Sequence, residues 1–257
     1  MKTPPRKDRT SIIIAGEDPL VAEYSELAAA RGYDVVPLAK LKTQKSGGAE
    51  ASIALELTNL DKGAKKTNLT GLDKLLPATT AIVTSSATVT VLEQSSWVNM
   101  KHRLVGVAAL PSFLQRSLVE IAPSAHTIEP TVQVARTFFS TLGKDVAVVQ
   151  DRVGMVLPRI LCQLINEAMF AVQQEVAAPK EIDLAMQLGM NFPFGPLEWG
   201  EKVGFNQVRG VLEALSQDLA EERYRICPLL KEIAAVGVFW NSAGGMEKNS
   251  PGAATKA

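Results

Sequence analysis

The first residues that could do chemistry lie in a turn between a predicted strand and a predicted helix. The β-branched run Ser11 to Ala15 is followed at once by Gly16, and Pro19 suits the start of a helix. A glycine at this point is typical of turns that bind the pyrophosphate of a dinucleotide, whose full pattern is G-x-G-x-x-G. The second and third glycine positions hold Asp18 and Val21. The turn therefore keeps only the first of three glycines.

The charge of the same turn opposes a phosphate. Glu17 and Asp18 place two carboxylates where a pyrophosphate would meet the helix. Two like charges about 4 Å apart repel by about 1 kcal/mol in water and about 4 kcal/mol near a protein surface. The acidic residue expected to bind the adenosine ribose is replaced by Ala39. Two interpretations stay open: a weakened dinucleotide site, or a turn that only caps a helix.

Groups for acid–base, nucleophilic or metal chemistry are few. His102 and His126 are the only imidazoles, and neither has a second ligand type at a useful spacing. Cys162 and Cys227 are far apart without a His pair to complete a zinc pattern, so we expect no metal and two reduced thiols of a cytoplasmic protein. Ser85, with Ser86 and Thr88 nearby, could act as a nucleophile but has no paired His in its sequence context.

The elements that must position these residues alternate between strand and helix up to residue 149. The pattern predicts an α/β domain over residues 10–149, with a Rossmann-like, mostly parallel sheet covered on both faces. Five helices and no strand are predicted over residues 150–241, and a mobile tail over residues 242–257. The predicted strands cover residues 11–15, 33–38, 52–57, 81–84, 104–109, 118–121 and 145–149.

Composition excludes several classes of function. The chain has 257 residues, with 27 basic and 27 acidic side chains, which argues against binding to a phosphate backbone. No run approaches 18 uninterrupted apolar residues, so no membrane span is predicted. The basic residues near the start are interpreted as a solvated tail and not as a secretory signal.

Motifs in the second half carry a family resemblance. They run in order from Asp151-Arg152-Val153-Gly154 through Asn166-Glu167-Ala168 to the segment 192–198, Phe-Pro-Phe-Gly-Pro-Leu-Glu. The first half adds Glu56 with Lys65 nine residues on, and Leu118-Val119-Glu120. Over residues 11 to 240 the chain resembles the 3-hydroxyacyl-CoA dehydrogenases. The resemblance implies NAD as cofactor, acyl-CoA as substrate and a homodimer formed through the helical domain.

The resemblance also assigns site positions. In the family a His takes the proton of the substrate 3-hydroxyl while hydride passes to the nicotinamide, a Glu orients the His, and a Ser and an Asn hold the substrate oxygen. Counted back from Glu120 without gaps, the His position is Ala108, the Ser position is Ala87, and the Asn position is Pro158. Only Glu120 of the four is retained. It is expected either to be a remnant of catalysis or to be exposed after a strand or paired with Arg116 or Arg159.

The remaining family positions are remnants of binding sites. Gly16 and Lys65 match cofactor positions, and Ser85 and Arg159 match substrate positions, although an exposed cation on a helix is usually only solvated. The connection from Leu38 to Ser52 looks too short for the helical excursion that helps cover acyl-CoA in the family.

These residues predict a catalytically impaired family member kept as a binding or interaction protein. The alternative is a working NAD-dependent 3-hydroxyacyl-CoA dehydrogenase of fatty-acid or butanoate metabolism, with the alignment misplaced or another group serving as base. A third interpretation keeps an enzyme with different chemistry near Ser85 and Glu120.

Overall fold

The computed structural model describes residues 10–41, 51–240 and 246–248. The chain divides into two compact units, residues 1–158 and 159–257. The boundary predicted after residue 149 stays a prediction. Across the described residues, no helix combines the length and apolar character that a bilayer span requires.

The first unit contains a seven-stranded sheet. Its strands are β1 (Ser11–Gly16), β2 (Asp34–Pro37), β3 (Ala51–Leu57), β4 (Ala81–Ser85), β5 (Leu104–Val107), β6 (Leu118–Ala122) and β7 (Asp145–Val148). They lie in the order β2-β1-β3-β4-β5-β6-β7, and every neighbouring pair is parallel except β5 and β6. The mostly parallel α/β sheet is thus confirmed.

Helices cover both faces of this sheet. They are α1 (Leu20–Ala30), α2 (Leu38–Leu41), α3 (Lys62–Leu75), α4 (Val91–Ser95) and α5 (Glu129–Thr141). Alternate residues of β1 enter different cores: Ile12 packs with α1 and α5 on one face, while Ile13 packs with α3 and α4 on the other. This alternation follows from the two-residue period of a strand.

The strand order reverses between β1 and β3. The connection from β1 runs through α1 to β2 on one side, and the connection from β3 runs through α3 to β4 on the other. Ligands of open α/β sheets bind in the crevice outside the carboxyl ends of strands at such a switch point. We call the space between the carboxyl ends of β1 and β3 the switch-point crevice.

The second unit is mainly helical. It holds most of α6 (Leu157–Gln173), followed by α7 (Pro179–Met190), α8 (Pro196–Val203), α9 (Phe205–Leu219) and α10 (Pro228–Val236). Asn166 of α6 donates from Nδ2 to the Arg225 carbonyl and accepts from the Cys227 N–H, which fixes the segment before α10. Gly195 lies so close to Asp183 that a Cβ there would be 2.3 Å from its side chain.

One part of the sequence-based prediction, the absence of strands after residue 150, needs correction. Two other predicted segments lie largely outside the described residues. The region after residue 150 is not wholly helical, because Val238–Trp240 and Met246–Lys248 form a two-stranded antiparallel sheet, β8 and β9. Three-residue strands are too short to show an alternating pattern. Most of the connection from Leu38 to Ser52, and the tail 242–257 apart from residues 246–248, lie outside the described residues.

Candidate functional site

The turn after β1 approaches β3 very closely. Gly16 has a φ of 146°, and a Cβ at this position would lie 2.7 Å from the Leu57 carbonyl carbon. No other residue fits there, because both the backbone conformation and the contact with backbone exclude a side chain. The glycine predicted from sequence therefore has a clear steric role at the switch-point crevice.

A carboxylate spans the crevice beside this glycine. Glu17 accepts hydrogen bonds from the backbone N–H groups of Asn59 (3.1 Å to Oε1) and Leu60 (3.2 Å to Oε2), just beyond β3. Its own N–H donates to the Leu57 carbonyl at 3.4 Å. The acidic turn does cap backbone N–H groups, but they belong to the end of β3, whereas the sequence suggested a cap on the following helix.

The cation matched to a cofactor position is buried in a polar network. Lys65 is 1% exposed, and its Nζ donates to Glu56 Oε2 at 2.5 Å and to the Thr58 carbonyl at 2.9 Å. Thr84 Oγ1 lies 3.2 Å from the same carboxylate oxygen. Burial lowers the pKa of Lys65, and the attraction of Glu56 opposes this. The expectation of a solvated cation is wrong for Lys65, because its charge is compensated within the core.

Ser85 is held by a residue that the sequence analysis missed. Its Oγ donates to Asn59 Oδ1 at 2.5 Å, and Asn59 Nδ2 donates to the Ala109 carbonyl at 2.8 Å. Ser85 is 1% exposed. Asn59 thus joins the ends of β3, β4 and β5 at the carboxyl edge of the sheet. Its partners are distant in sequence, so no local pattern could have indicated this role.

Ala108, the residue that the sequence predicts at the family's His position, is part of an apolar cluster. Ala108 is 5% exposed and packs with Ala122 and Met155, with Val149 at the margin. It immediately follows β5, and its N–H donates to the Glu120 carbonyl at 3.0 Å. A methyl group in a packed apolar cluster can neither accept nor donate a proton.

Glu120 is buried, and its carboxylate accepts hydrogen bonds from backbone N–H groups. Its Oε2 accepts from the Val156 N–H and its Oε1 from the Leu157 N–H, each at 2.8 Å. The side chain is 7% exposed, so the suggestion of an exposed carboxylate is wrong. The first N–H groups of a helix have no partner within the helix, and Glu120 provides one for the start of α6.

A second carboxylate and a cation lie near Glu120. Glu23 of α1 accepts from the N–H groups of Ser112 (2.8 Å) and Phe113 (2.5 Å) after β5. Arg116 donates from Nη2 to the Leu110 carbonyl. Burial lowers the pKa of Arg116, while the negative charges of Glu23 and Glu120 oppose that change. The suggested attraction between Arg116 and Glu120 is therefore electrostatic, without a direct hydrogen bond to Glu120.

Three other positions were predicted from the family resemblance. Ala87 and Pro158 have side chains that cannot transfer a proton, and Arg159 belongs to the second unit. Ala87 is fully buried, and its carbonyl accepts from the Gly154 N–H at 3.1 Å. Pro158 occupies the first turn of α6, where its missing N–H removes no helical hydrogen bond. Arg159, half-buried, is the first residue of the second unit.

Among the described residues, no group of three His, Cys, Asp or Glu side chains could hold a metal ion. Cys162 and Cys227 are both free and buried. Burial raises the pKa of Cys162 well above its usual range, which leaves the thiol protonated and unreactive.

Two sequence profiles of one family match the chain. Residues 21–152 match the profile of the "3-hydroxyacyl-CoA dehydrogenase, NAD binding domain", and residues 154–246 match the "3-hydroxyacyl-CoA dehydrogenase, C-terminal domain". The chain belongs to the 3-hydroxyacyl-CoA dehydrogenase family. The resemblance found in the sequence is thereby confirmed, although the first match begins after the Gly16 turn.

Relatives within this family are similar over most of the chain. The chain is 30% identical over 194 residues to the probable 3-hydroxybutyryl-CoA dehydrogenase of Bacillus subtilis, a match covering 76% of this chain and 68% of that protein. It is 26% identical over 189 residues to the 3-hydroxybutyryl-CoA dehydrogenase of Bradyrhizobium diazoefficiens, covering 74% and 64% respectively. The matches thus span about two thirds of the length of these relatives.

A solved structure shares the fold. The (S)-3-hydroxybutyryl-CoA dehydrogenase from Ralstonia eutropha superposes with a TM-score of 0.73 at 23% identity, over 90% of this chain and 95% of that chain. At this identity the likeness supports the fold: a Rossmann-like sheet domain followed by a helical domain.

The residues of the switch-point crevice do not fit NAD in the way the profile's name implies. The Glu17 carboxylate lies in the crevice on two backbone donors, and Asp18 adds a second negative charge. Ala39 lies in α2, directly after β2, where an acidic side chain would bind the ribose. Lys65 is already paired with Glu56.

Proposed function

We propose that this chain is a non-catalytic member of the 3-hydroxyacyl-CoA dehydrogenase family that acts as a binding or interaction protein. The observation that carries the proposal is the packing of Ala108 against Ala122 and Met155, where the family motif places its general base. Oxidation of a 3-hydroxyacyl-CoA requires a group that takes the hydroxyl proton in the transition state, and a positioned base typically contributes a factor of about 10²–10⁴.

Glu120 supports the same proposal. Both oxygens of Glu120 accept backbone N–H groups at the start of α6, which gives the carboxylate a structural role that does not depend on an imidazole. The residue is retained because its removal would leave two buried donors without partners. Its presence in the sequence is thus explained without a catalytic role.

Neither histidine is placed to act as a substitute base. His102 precedes β5, whereas Ala108 follows it, so they lie at opposite ends of this strand. Because β6 is antiparallel to β5, His126, which follows β6, lies at the same end as His102. A residue in a strand advances about 3.3 Å, so the four residues of β5 alone separate these ends by about 13 Å.

The helical unit supports a role in assembly, and acyl-CoA remains the candidate ligand. Helix α7 has no buried residue, and Leu184, Leu188 and Met190 are 53%, 78% and 60% exposed. Exposed apolar groups of this size mark interaction surfaces, and the partner we propose is a second copy of the chain. We also propose a cytoplasmic location, because both cysteines are free, and no association with nucleic acid or membrane.

The alternative function is NAD-dependent oxidation of 3-hydroxyacyl-CoA to 3-oxoacyl-CoA in fatty-acid or butanoate metabolism. The names of the relatives favour it, since the Bacillus and Bradyrhizobium proteins are both called 3-hydroxybutyryl-CoA dehydrogenases. This alternative requires a base other than a histidine at position 108.

A direct assay separates the two functions. Purified protein is mixed with acetoacetyl-CoA and NADH, the NADH absorbance is followed, and the Bacillus relative serves as the positive control. We expect no turnover from this chain at concentrations where the relative is active. A saturable rate that scales with protein concentration would establish the dehydrogenase and overturn the proposal. Sedimentation of the same sample tests the dimer independently.

A further inference from the structure

One side chain joins the two sides of the switch-point crevice. Glu17 directly follows β1, and its two carboxylate oxygens accept the N–H groups of Asn59 and Leu60, which follow β3. Gly16 and Leu57 are partners in the register of these strands and are in contact at the same point. The carboxylate therefore lies at the point where the strand order reverses, between the carboxyl ends of β1 and β3.

Consecutive backbone N–H groups that converge on an anion are a common way for proteins to bind phosphate. The two donors after β3 have this arrangement, but the anion they bind is part of the chain. We infer that Glu17 is an internal occupant of the switch-point crevice, which excludes a dinucleotide by fixing a negative charge there and by holding the ends of β1 and β3 together. The inference goes beyond the proposed function, because it concerns the binding of the dinucleotide and not the missing base.

Other carboxylates of the first unit show that this contact is a recurring structural device. Glu23, Asp73, Glu120 and Asp151 each accept from two consecutive backbone N–H groups of a distant segment. Glu17 makes the same kind of contact, but it is the one of these five that lies between β1 and β3. The attraction between Glu17 and Lys65 also opposes the lowering of the Lys65 pKa by burial. The negative charge of Glu17 therefore acts on the buried pair of Lys65 and Glu56.

The test uses Asp18→Gly as the background, because this change removes the neighbouring charge and restores the second glycine of the pattern. Glu17→Ala is added to it, and NADH binding is measured by fluorescence titration up to millimolar concentration. The matched control adds Glu26→Ala, which removes an exposed carboxylate of α1. A further variant, Glu17→Gln, keeps one oxygen that can accept a hydrogen bond, in case the alanine variant fails to fold.

We expect flat titrations for the wild type, the background and the Glu26 control. Adding Glu17→Ala should tighten NADH binding at least about tenfold over the background, with a smaller gain for Glu17→Gln; tenfold corresponds to about 1.4 kcal/mol. Exchange of the Asn59 and Leu60 amide hydrogens should accelerate in the Glu17 variants and stay slow in the control.

Two results would overturn the inference. Saturable NADH binding by the wild type shows that Glu17 does not exclude the dinucleotide; if no turnover accompanies it, the proposed non-catalytic function survives. Flat titrations for folded Glu17 variants, or unchanged exchange at residues 59 and 60, show that the carboxylate is not the excluding group. Turnover in the acetoacetyl-CoA assay overturns the proposed function separately.

Discussion

Replacing Glu120 should weaken the protein rather than alter a reaction. The carboxylate is 7% exposed and accepts two hydrogen bonds of 2.8 Å, from Val156 and Leu157. A hydrogen bond to a charged group contributes about 1.5–3 kcal/mol, so we expect Glu120→Ala to cost about 3 kcal/mol or more. For a chain of this size each kcal/mol lowers Tm by about 2–4 °C, which predicts a fall on the order of 6–12 °C.

The assay is thermal unfolding followed by circular dichroism, with amide exchange at Val156 and Leu157 as a local measurement. Glu120→Gln retains one accepting oxygen and should lose about half as much stability. Glu26→Ala is the matched control, because an exposed carboxylate should change stability by no more than about 0.5 kcal/mol. If Glu120→Ala unfolds within about 2 °C of the control and both amides stay protected, the carboxylate has no structural role and our account of its retention is wrong.

Three further predictions concern buried residues of the first unit. Ala108→His should lower stability by about 1–3 kcal/mol through overpacking, without creating acetoacetyl-CoA reduction; a stable, active variant would contradict this. Lys65→Met should cost about 3–5 kcal/mol, and the double variant with Glu56→Gln should recover part of it, whereas purely additive losses would argue against the buried pair. Burial alone would raise the pKa of Asp73, but N–H donors and Arg103 hold it below its usual value, so its stabilisation exists above the unfolded-state pKa and is lost as pH falls through the folded-state pKa. In urea titrations the stability gap between wild type and Asp73→Asn should therefore narrow below about pH 4; a constant gap down to about pH 2 would refute the assignment.

Most of the fold could be predicted from sequence because its signals are local. The β-branched run at residues 11–15 and the glycine that ends it specify β1. Gly16, predicted from the turn pattern, is required by contact with Leu57. By contrast, α4 is only five residues long and β8 three, and such short segments show no period that could be distinguished from a loop.

The roles of individual charged residues could not be predicted, because they depend on partners far away in sequence. Glu17 contacts residues more than forty positions later, and Glu23 contacts residues almost ninety positions later. Lys65 has a helical pattern like that of a solvated lysine, yet it faces Glu56 in the core. The assignment of the family's His position to Ala108 stays a prediction from sequence. The structure adds that Ala108 is part of an apolar cluster.

The central claim is that this chain does not transfer hydride to or from acyl-CoA. A single-turnover experiment tests it most directly: protein in excess over NADH is mixed with saturating acetoacetyl-CoA, and the NADH absorbance is followed for hours. Our account predicts that the trace stays at the level of a protein-free control. A decay of the NADH absorbance whose rate rises with protein concentration would contradict it.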